Sequence, residues 1–332
     1  MQIEIAEIET MTARALTAHG AGVWQAGEVA RAVARAEETG NVICGLYYLE
    51  SYCRQLVSGR VDGRVEPQVA RPRPGEVNVD ARFGFAQPAF SRGLPEAVAA
   101  ARHCGIARLA ICHSHTCTSL GFFTEQIAAA GLIGIGVTNA SAIVAGPGGK
   151  TRVIGTNPIA FTLPGPDGPA LHADFSTAAV ALGKITMAKA AGEAIPLGWA
   201  VDRDGKATTD PAEALAGSLV SAAGYKGWAL GLLAEFLAAG MTGSVNSLDV
   251  RGLKAETGPP HDLGQFYILI DPAGQAAALA DRIRRVADAI ADDPAVRIPG
   301  SRRETPASVT VAPTLWALVR ELAEGGAGPE RA

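Results

Sequence analysis

Two histidines separated by one residue, His113 and His115, stand at the end of a short apolar run (ARLAICHS, residues 107–114). Only six histidines occur in the chain. Imidazole is the side chain whose ordinary pKa lets it exchange a proton near neutrality, so this pair is the first candidate for general acid–base work. The five cysteines, Cys44, Cys53, Cys104, Cys112 and Cys117, are an odd set without paired metal-type spacing. That argues against a disulfide framework and against zinc, and no metal is expected. Cys104 and Cys112 lie in apolar surroundings and read as small buried hydrophobes.

Two glycine-rich stretches invite nucleotide readings and fail them. GPGGKT (residues 146–151) lacks the glycine a phosphate loop requires at position 144, where Val144 stands. Gly134-x-Gly136 continues to Asn139, with no helix start behind it, so the Rossmann fingerprint is absent. A dehydrogenase built on this chain needs another cofactor scaffold.

The elements around these residues are of two kinds. Apolar residues recur near helical period from Ile5 to Leu16 and on to Gly40, and ICGLYYLESYCRQL (residues 43–56) predicts a further helix. A turn-rich passage follows over 59–74. The centre changes to short β-type runs, ARLAICHS, GLIGIGVTNAS, RVIGTNPIAF, ALHADFS and FYILID, with helices over 124–130 and 227–239 between them. Leu279, Ile283, Val286 and Ile290 return the last third to helix. Helices at both ends around a β-rich centre give an α+β (mixed α/β) class, with the two ends packed together.

Length and charge narrow the function. A chain of 332 residues, 48% apolar, suits roughly two domains of about 150 residues. Its 29 basic and 33 acidic residues form no basic face, which excludes nucleic acid and anionic membranes as expected partners. The acidic start MQIEIAEIET has no apolar signal core, and no apolar run approaches about eighteen residues, so a cytosolic location is expected.

Over residues 121–272 the chain resembles the malate/L-lactate (type 2) dehydrogenase family, which includes ureidoglycolate and sulfolactate dehydrogenases and the piperideine/pyrroline-2-carboxylate reductases. GLIGIGVTN, PGGKTRVIGTNPIAF, DFSTAAVALGKI, IPLGWAVDRDGKATTDP and GYKGWALGLLAEFLAAGMTG carry the resemblance in order. FGFAQPAF (residues 83–90) extends it more loosely. The resemblance implies a homodimer and hydride transfer between a nicotinamide and a carbon beside a carboxylate. It implies a non-Rossmann cofactor domain with a mixed sheet over 111–272. Residues 1–110 plus 273–332 then form the helical, substrate-binding and dimerising part.

Within that frame Asp174-Phe175-Ser176 suits a ribose, the alternative being a capped turn. Gly224 and Lys226, at the start of the helix that follows, suit a pyrophosphate through free amides and charge. Thr156, Asn139 and Ala140 are candidates to seat the cofactor, and Ser141 to touch the substrate. Gly300 and Arg302 fall where family members meet the adenosine end. Arg302-Arg303 favours the 2′-phosphate of NADP over NAD.

The resemblance breaks at the catalytic end. A Ser-His-Gly segment followed by Arg becomes Ile43-Cys44-Gly45 and Tyr48 here, and a second family histidine becomes Thr116. The usual acid and the usual carboxylate clamp are both replaced. Arg54 is a candidate for the clamp, Lys184 for orienting an acid or the cofactor, and Cys44, Tyr48 and Thr116 for lining the substrate. His115 is displaced by one from the family position, and on a strand one step points a side chain to the other face unless a bulge re-aims it. Reducing a ketone creates an alkoxide and demands a positioned proton donor. A protonated imine carries its own proton, so the losses favour C=N reduction of a cyclic 2-imino acid. A 2-hydroxy acid dehydrogenase using His115, and a cofactor-binding protein without turnover, are the alternatives.

Overall fold

The computed structural model describes residues 1–166, 168–293, 295–301 and 305–325. After a short strand β1 (Gln2–Glu4), helix α1 (Ile5–Ala18) buries Ile8, Thr12, Ala15 and Leu16. Helix α2 (Val23–Glu38) buries Ala26, Val29, Ala30 and Val33, the period-3.6 face of the sequence. The helix expected over 43–56 is shorter than its pattern. Two 3-10 turns, Val42–Cys44 and Leu46–Tyr48, precede α3 (Leu49–Val57). Gly45 explains the break. A Cβ there would lie 2.1 Å from Glu37 Oε1, because the buried Glu37 carboxylate fills that space to accept the Leu46 amide at 2.7 Å.

The passage read as turns over 59–74 contains a strand. β2 (Gln68–Arg73) forms a hairpin with β3 (Glu76–Asp80). β2 is exposed throughout, an edge position where Pro72's missing donor does no harm. The chain continues through α4 (Ala86–Cys104), β4 (Ile106–Ser114), α5 (Gly121–Ala129), β5 (Ile133–Thr138), β6 (Val144–Ala145), β7 (Arg152–Ile154), β8 (Ile159–Gly165) and β9 (Gly168–Phe175). Next come α6 (Leu182–Ala191), β10 (Ala200–Val201), β11 (Ala207–Thr208), α7 (Pro211–Ala216), β12 (Ser218–Leu219) and α8 (Tyr225–Glu235), which runs into a π-helical turn, Phe236–Gly240. β13 (Leu263–Ile270), α9 (Ala276–Ala289), β14 (Ser308–Thr310) and α10 (Pro313–Ala323) complete it.

The main sheet has the order β2-β3-β4-β13-β5-β8-β9, and only its β3–β4 pair is parallel. The class is α+β with a mixed sheet, and the sheet is not the parallel, doubly wound Rossmann type. Val77, Val79, Leu109, Ile111 and Tyr267 of this sheet pack on Phe90 of α4 and Phe123 of α5. A second sheet, β11-β10-β12-β6-β7, has its own core around Ile154, Ile185 and Leu219. The two ends do pack together: β1 pairs with β14, and α10 inserts Trp316 and Val319 among Ile8, Leu16 and Tyr52. Residues 110 and 111, where the sequence reading divides the chain, are neighbours inside β4. Among the described residues no helix is long and apolar enough to cross a membrane.

Candidate active site

The two histidines owe their positions to an irregularity in β4. From Ile111 to Ser114 three steps of β4 face two steps of β13, Gln265 to Leu263. The extra residue makes a β-bulge. His113 sits in it with φ +48°, a left-handed value that non-glycine residues seldom adopt. Its ring turns to an outer corner, with Nδ1 2.9 Å from Asp80 Oδ1.

His115 turns the other way, under the N-terminal helices, and is 2% exposed. Its ring meets the edges of Tyr52 and Phe85 and stacks on His261 at 4.0 Å. Gln55 spends its amide on Ser51 Oγ and the Leu253 carbonyl, which leaves its oxygen to accept from His115 Nε2 at 2.5 Å. Burial, with His261 and Arg60 adding to it, holds the His115 imidazole well below its ordinary value. Burial and Arg60 lower His261 to about 3. Arg60 is itself buried, and its guanidinium donates to the carbonyls of Pro259, Gly252 and Ala255, fastening that segment behind α3. His115 is therefore a neutral, committed imidazole near pH 7 rather than an acid.

A second group gathers around Asp174, at the end of β9. Cys44 ends the first 3-10 turn and Tyr48 the second, and Tyr48 stacks on Tyr52 at 5.8 Å. Burial, then the Asp174 charge, push the Cys44 thiol up to about 12. Burial, with Cys44 and Tyr47, pushes Tyr48 to about 12. Cys117 is raised further by burial, Asp174 and Cys44, and Tyr52 by burial, Tyr48, Cys44 and Cys117. These mutual influences put two thiols, two phenols and one carboxylate within electrostatic range of one another, with every thiol and phenol proton retained at neutral pH. Asp174 Oδ2 accepts from Ser119 Oγ at 3.0 Å and the Gly121 amide at 2.8 Å.

The remaining substrate candidates are placed as follows. Thr116 is half-buried between β4 and α5. Arg54 lies between Glu50 (2.9 Å) and Glu256 (2.7 Å), which occupy its guanidinium. Lys184 is exposed in the first turn of α6, and its neighbour Gly183 faces Ile43, next to Cys44. Cys104 is exposed and Cys112 half-buried, so the apolar sequence around them overstates their burial. All five cysteines are free thiols.

The cofactor candidates lie on loops that touch one another. The Thr156 carbonyl accepts from Ser176 Oγ and the Thr177 amide, both at 3.0 Å. The Ala140 carbonyl packs where a side chain on Gly155 would stand, and Ser141 follows it, half-buried. Phe175 is exposed beside them. Asn139 is a brace: its amide donates to the Val245 carbonyl and its oxygen accepts the Gly264 amide. The Thr177 carbonyl accepts the Ala222 amide, which brings the start of α8 alongside. There Gly224 has φ +60°, nothing within 4 Å of its absent side chain, and no side chain caps the helix. Lys226 is exposed on that turn. Gly300 packs against His172, two residues before Asp174, and its neighbour Pro299 accepts the His172 amide. Arg302 lies outside the described residues.

Sequence reasoning did not find Tyr52, Gln55, Arg60, His261 or Glu235. Glu235 is 2% exposed and accepts from Ser247 N, Ser247 Oγ, Asn246 and Asn157, joining the loops behind the cofactor candidates. A lone glutamate in the apolar stretch GLLAEFLAAG is the one signal that could have marked it.

The family model for malate/L-lactate dehydrogenase matches residues 3–309, and the chain belongs to that family. It is 38% identical over 308 residues to a Delta(1)-pyrroline-2-carboxylate reductase of Ancylobacter novellus, covering 91% of this chain and 90% of that protein. It is 39% identical over 303 residues to a (2R)-3-sulfolactate dehydrogenase (NADP(+)) of Chromohalobacter salexigens, covering 91% and 90%. The crystal structure of the delta1-piperideine-2-carboxylate reductase from Pseudomonas syringae pvar. tomato superposes with a TM-score of 0.89 at 31% identity, covering 97% and 99%. A dinucleotide fits the residues present. The free amides of the first turn of α8, the open space at Gly224 and the exposed Lys226 suit a pyrophosphate.

Proposed function

We propose that the protein reduces the C=N bond of a cyclic 2-imino acid, such as piperideine- or pyrroline-2-carboxylate, with NADPH preferred to NADH. The feature that carries this reading is the burial of the groups around Asp174, which keeps them neutral. Cys44 and Tyr48 titrate only near about 12, and His115 is neutral with its Nε2 proton engaged. Neither the thiol, the phenol nor His115 among these suits protonation of an alkoxide near pH 7, because a good general acid has a pKa close to the working pH. A protonated imine arrives with its proton, and in this reading Asp174 balances its charge instead of holding the ribose that its sequence context implies. When bound, the reduced nicotinamide supplies the hydride. The hydroxyls of Tyr48, Thr116 and Ser141 bind the substrate, and the exposed Lys184 attracts its carboxylate. Thr156, Ser176, Gly224, Lys226 and Gly300 hold the dinucleotide.

The preference for NADPH rests on Arg302-Arg303 and on the NADP(+) in the name of the sulfolactate relative. A homodimer is supported by exposed apolar residues along α8, its π turn and the residue after it: Leu230, Leu233, Phe236 and Met241. Free cysteines suit a reducing cytosol. The division into a helical, substrate-binding part and a cofactor part rests on the family resemblance; the helical core of the two ends stands apart, while the main-sheet core draws Val79 and Phe90 together with Phe123 and Tyr267 across the boundary.

Steady-state rates with both imines, pyruvate and oxaloacetate, each with NADPH and NADH, test the proposal. Imine turnover is expected to dominate, and pyruvate or oxaloacetate turnover of similar rate overturns it. His115→Ala separates the 2-hydroxy acid reading, for which the sulfolactate relative speaks. There the loss is at least about a hundredfold, and under imine reduction it stays below about tenfold.

A further inference from the structure

The outer corner of the β4 bulge holds a donor set that the proposed reduction does not use. Asp80 closes β3, and Cys112 and His113 occupy the bulge beside it. One ligand atom from each lies within 4.8 Å of the others. His113 Nδ1 is 2.9 Å from Asp80 Oδ1 and 3.4 Å from Cys112 Sγ. Around a tetrahedral zinc-like ion, bonds of about 2.0 Å to N and O and about 2.3 Å to S place neighbouring ligand atoms about 3.3–3.5 Å apart. The two edges at His113 are within a few tenths of an ångström of that spacing.

A plain His–Asp hydrogen bond accounts for one edge and leaves two observations over. Asp262 holds a carboxylate oxygen that is buried and takes no hydrogen bond. Its charge reaches this corner, since Asp262 and Asp80 both act on the Cys112 thiol. The backbone is also held in uncommon shapes here: Arg82, Phe83, His113 and Asp262 all have φ between +48° and +62°. The His113 amide is tied to Ser244 Oγ and the Arg82 amide to Asp80 Oδ1. Strain of this kind persists where surrounding contacts enforce it and is concentrated at ligand sites.

We propose that Asp80, Cys112 and His113 bind a divalent transition-metal ion of the zinc class, with solvent in the fourth position and the Asp262 charge supporting it from nearby. Binding converts the Cys112 thiol to a thiolate, its proton leaving to solvent, and moves the His113 proton from Nδ1 to Nε2. The net release of a proton makes affinity rise with pH. The ion would lock the bulge that aims His115 inward, a structural role apart from the Asp174 pocket. Local ligand-pair spacing cannot reveal such a site, because Asp80 is brought to Cys112 and His113 by the parallel pairing of β3 with β4.

Cobalt(II) titration of the metal-stripped full chain tests this. The expected result is a thiolate-to-cobalt charge-transfer band with tetrahedral visible bands, saturating at a single ion per chain and displaced by zinc. Cys112→Ser is expected to abolish the charge-transfer band, and Cys104→Ser, at the exposed cysteine, to leave it intact. Asp262→Asn is expected to weaken affinity about tenfold or more. Circular dichroism verifies that each variant is folded, and Cys112→Ala replaces Cys112→Ser if that one is not. Absence of the band in the parent chain, or its survival without Cys112, overturns the proposal.

Discussion

Two walls meet at Asp174, and they treat protons and charge in opposite ways. The wall from the N-terminal helices, with Cys44, Tyr48, Tyr52 and His115, is buried and keeps its groups neutral near pH 7. The wall from the sheet loops, with Ser176, Gly224 and Lys226, is more open and polar, and its geometry rests on backbone contacts and the Glu235 hub. The family's cofactor pattern survives in the second wall while the first has changed its side chains. A reaction can therefore be altered by resurfacing one wall without disturbing the other.

The comparison is broken most directly at Asp174, the only carboxylate among the pocket groups described above. Asp174→Asn is expected to lower kcat/KM for the imine by about a hundredfold to a thousandfold, as loss of a preorganised electrostatic partner does. A loss under about fivefold, with unchanged circular dichroism, removes Asp174 from the charge-balancing role. At the base of the other wall, Glu235→Ala leaves Asn157, Asn246 and Ser247 without their acceptor. Destabilisation of about 3 kcal/mol by urea unfolding is expected, and a change below about 1 kcal/mol means the loops are braced elsewhere.

Lys226→Ala sharpens the contrast. It is expected to raise KM for the dinucleotide about tenfold while kcat stays within about twofold, the pattern of lost binding shared by ground and transition states. A fall in kcat instead would move Lys226 from holding to positioning. The smallest effect near neutrality is that of pH on stability. His115 and His261 have folded values below the unfolded value of about 6.5. The unfolded chain takes up protons first, so this contribution is complete above about pH 6.5 and is lost as pH falls toward about 3. Thermal midpoints measured across that range should fall with acid more steeply in the parent than in His261→Phe; parallel curves sink the assignment.

Helical period and β-type runs made most of the elements legible. Strand β2 was hidden because its Pro and Arg residues mark an edge that buries nothing, and periodicity registers only burial. The helix over 43–56 was overextended because Gly45 reads as a mild helix cost, whereas the Glu37 carboxylate beside it ends the helix by tertiary contact. The pair His113 and His115 was visible, and so was the need for a bulge to turn either one. Which way each would turn depended on Gln55, His261 and Asp80, residues 60, 146 and 33 positions away by subtraction of sequence numbers. Arg54 looked available from its helix alone, and its partner Glu256 arrives from the far side of the chain.

The pairing of β1 with β14 and the burial of Trp316 among α1 and α3 have a consequence for biosynthesis. On the ribosome, the sheet layers draw their strands from residues 68–270 and can assemble as those residues emerge. The N-terminal helices, though made before those strands, must wait for residues 308–323 before their apolar face is covered. A segment translated before the sheet strands is thus among the last to be sealed, and until then it presents the nascent chain's sticky surface, where chaperone engagement would concentrate.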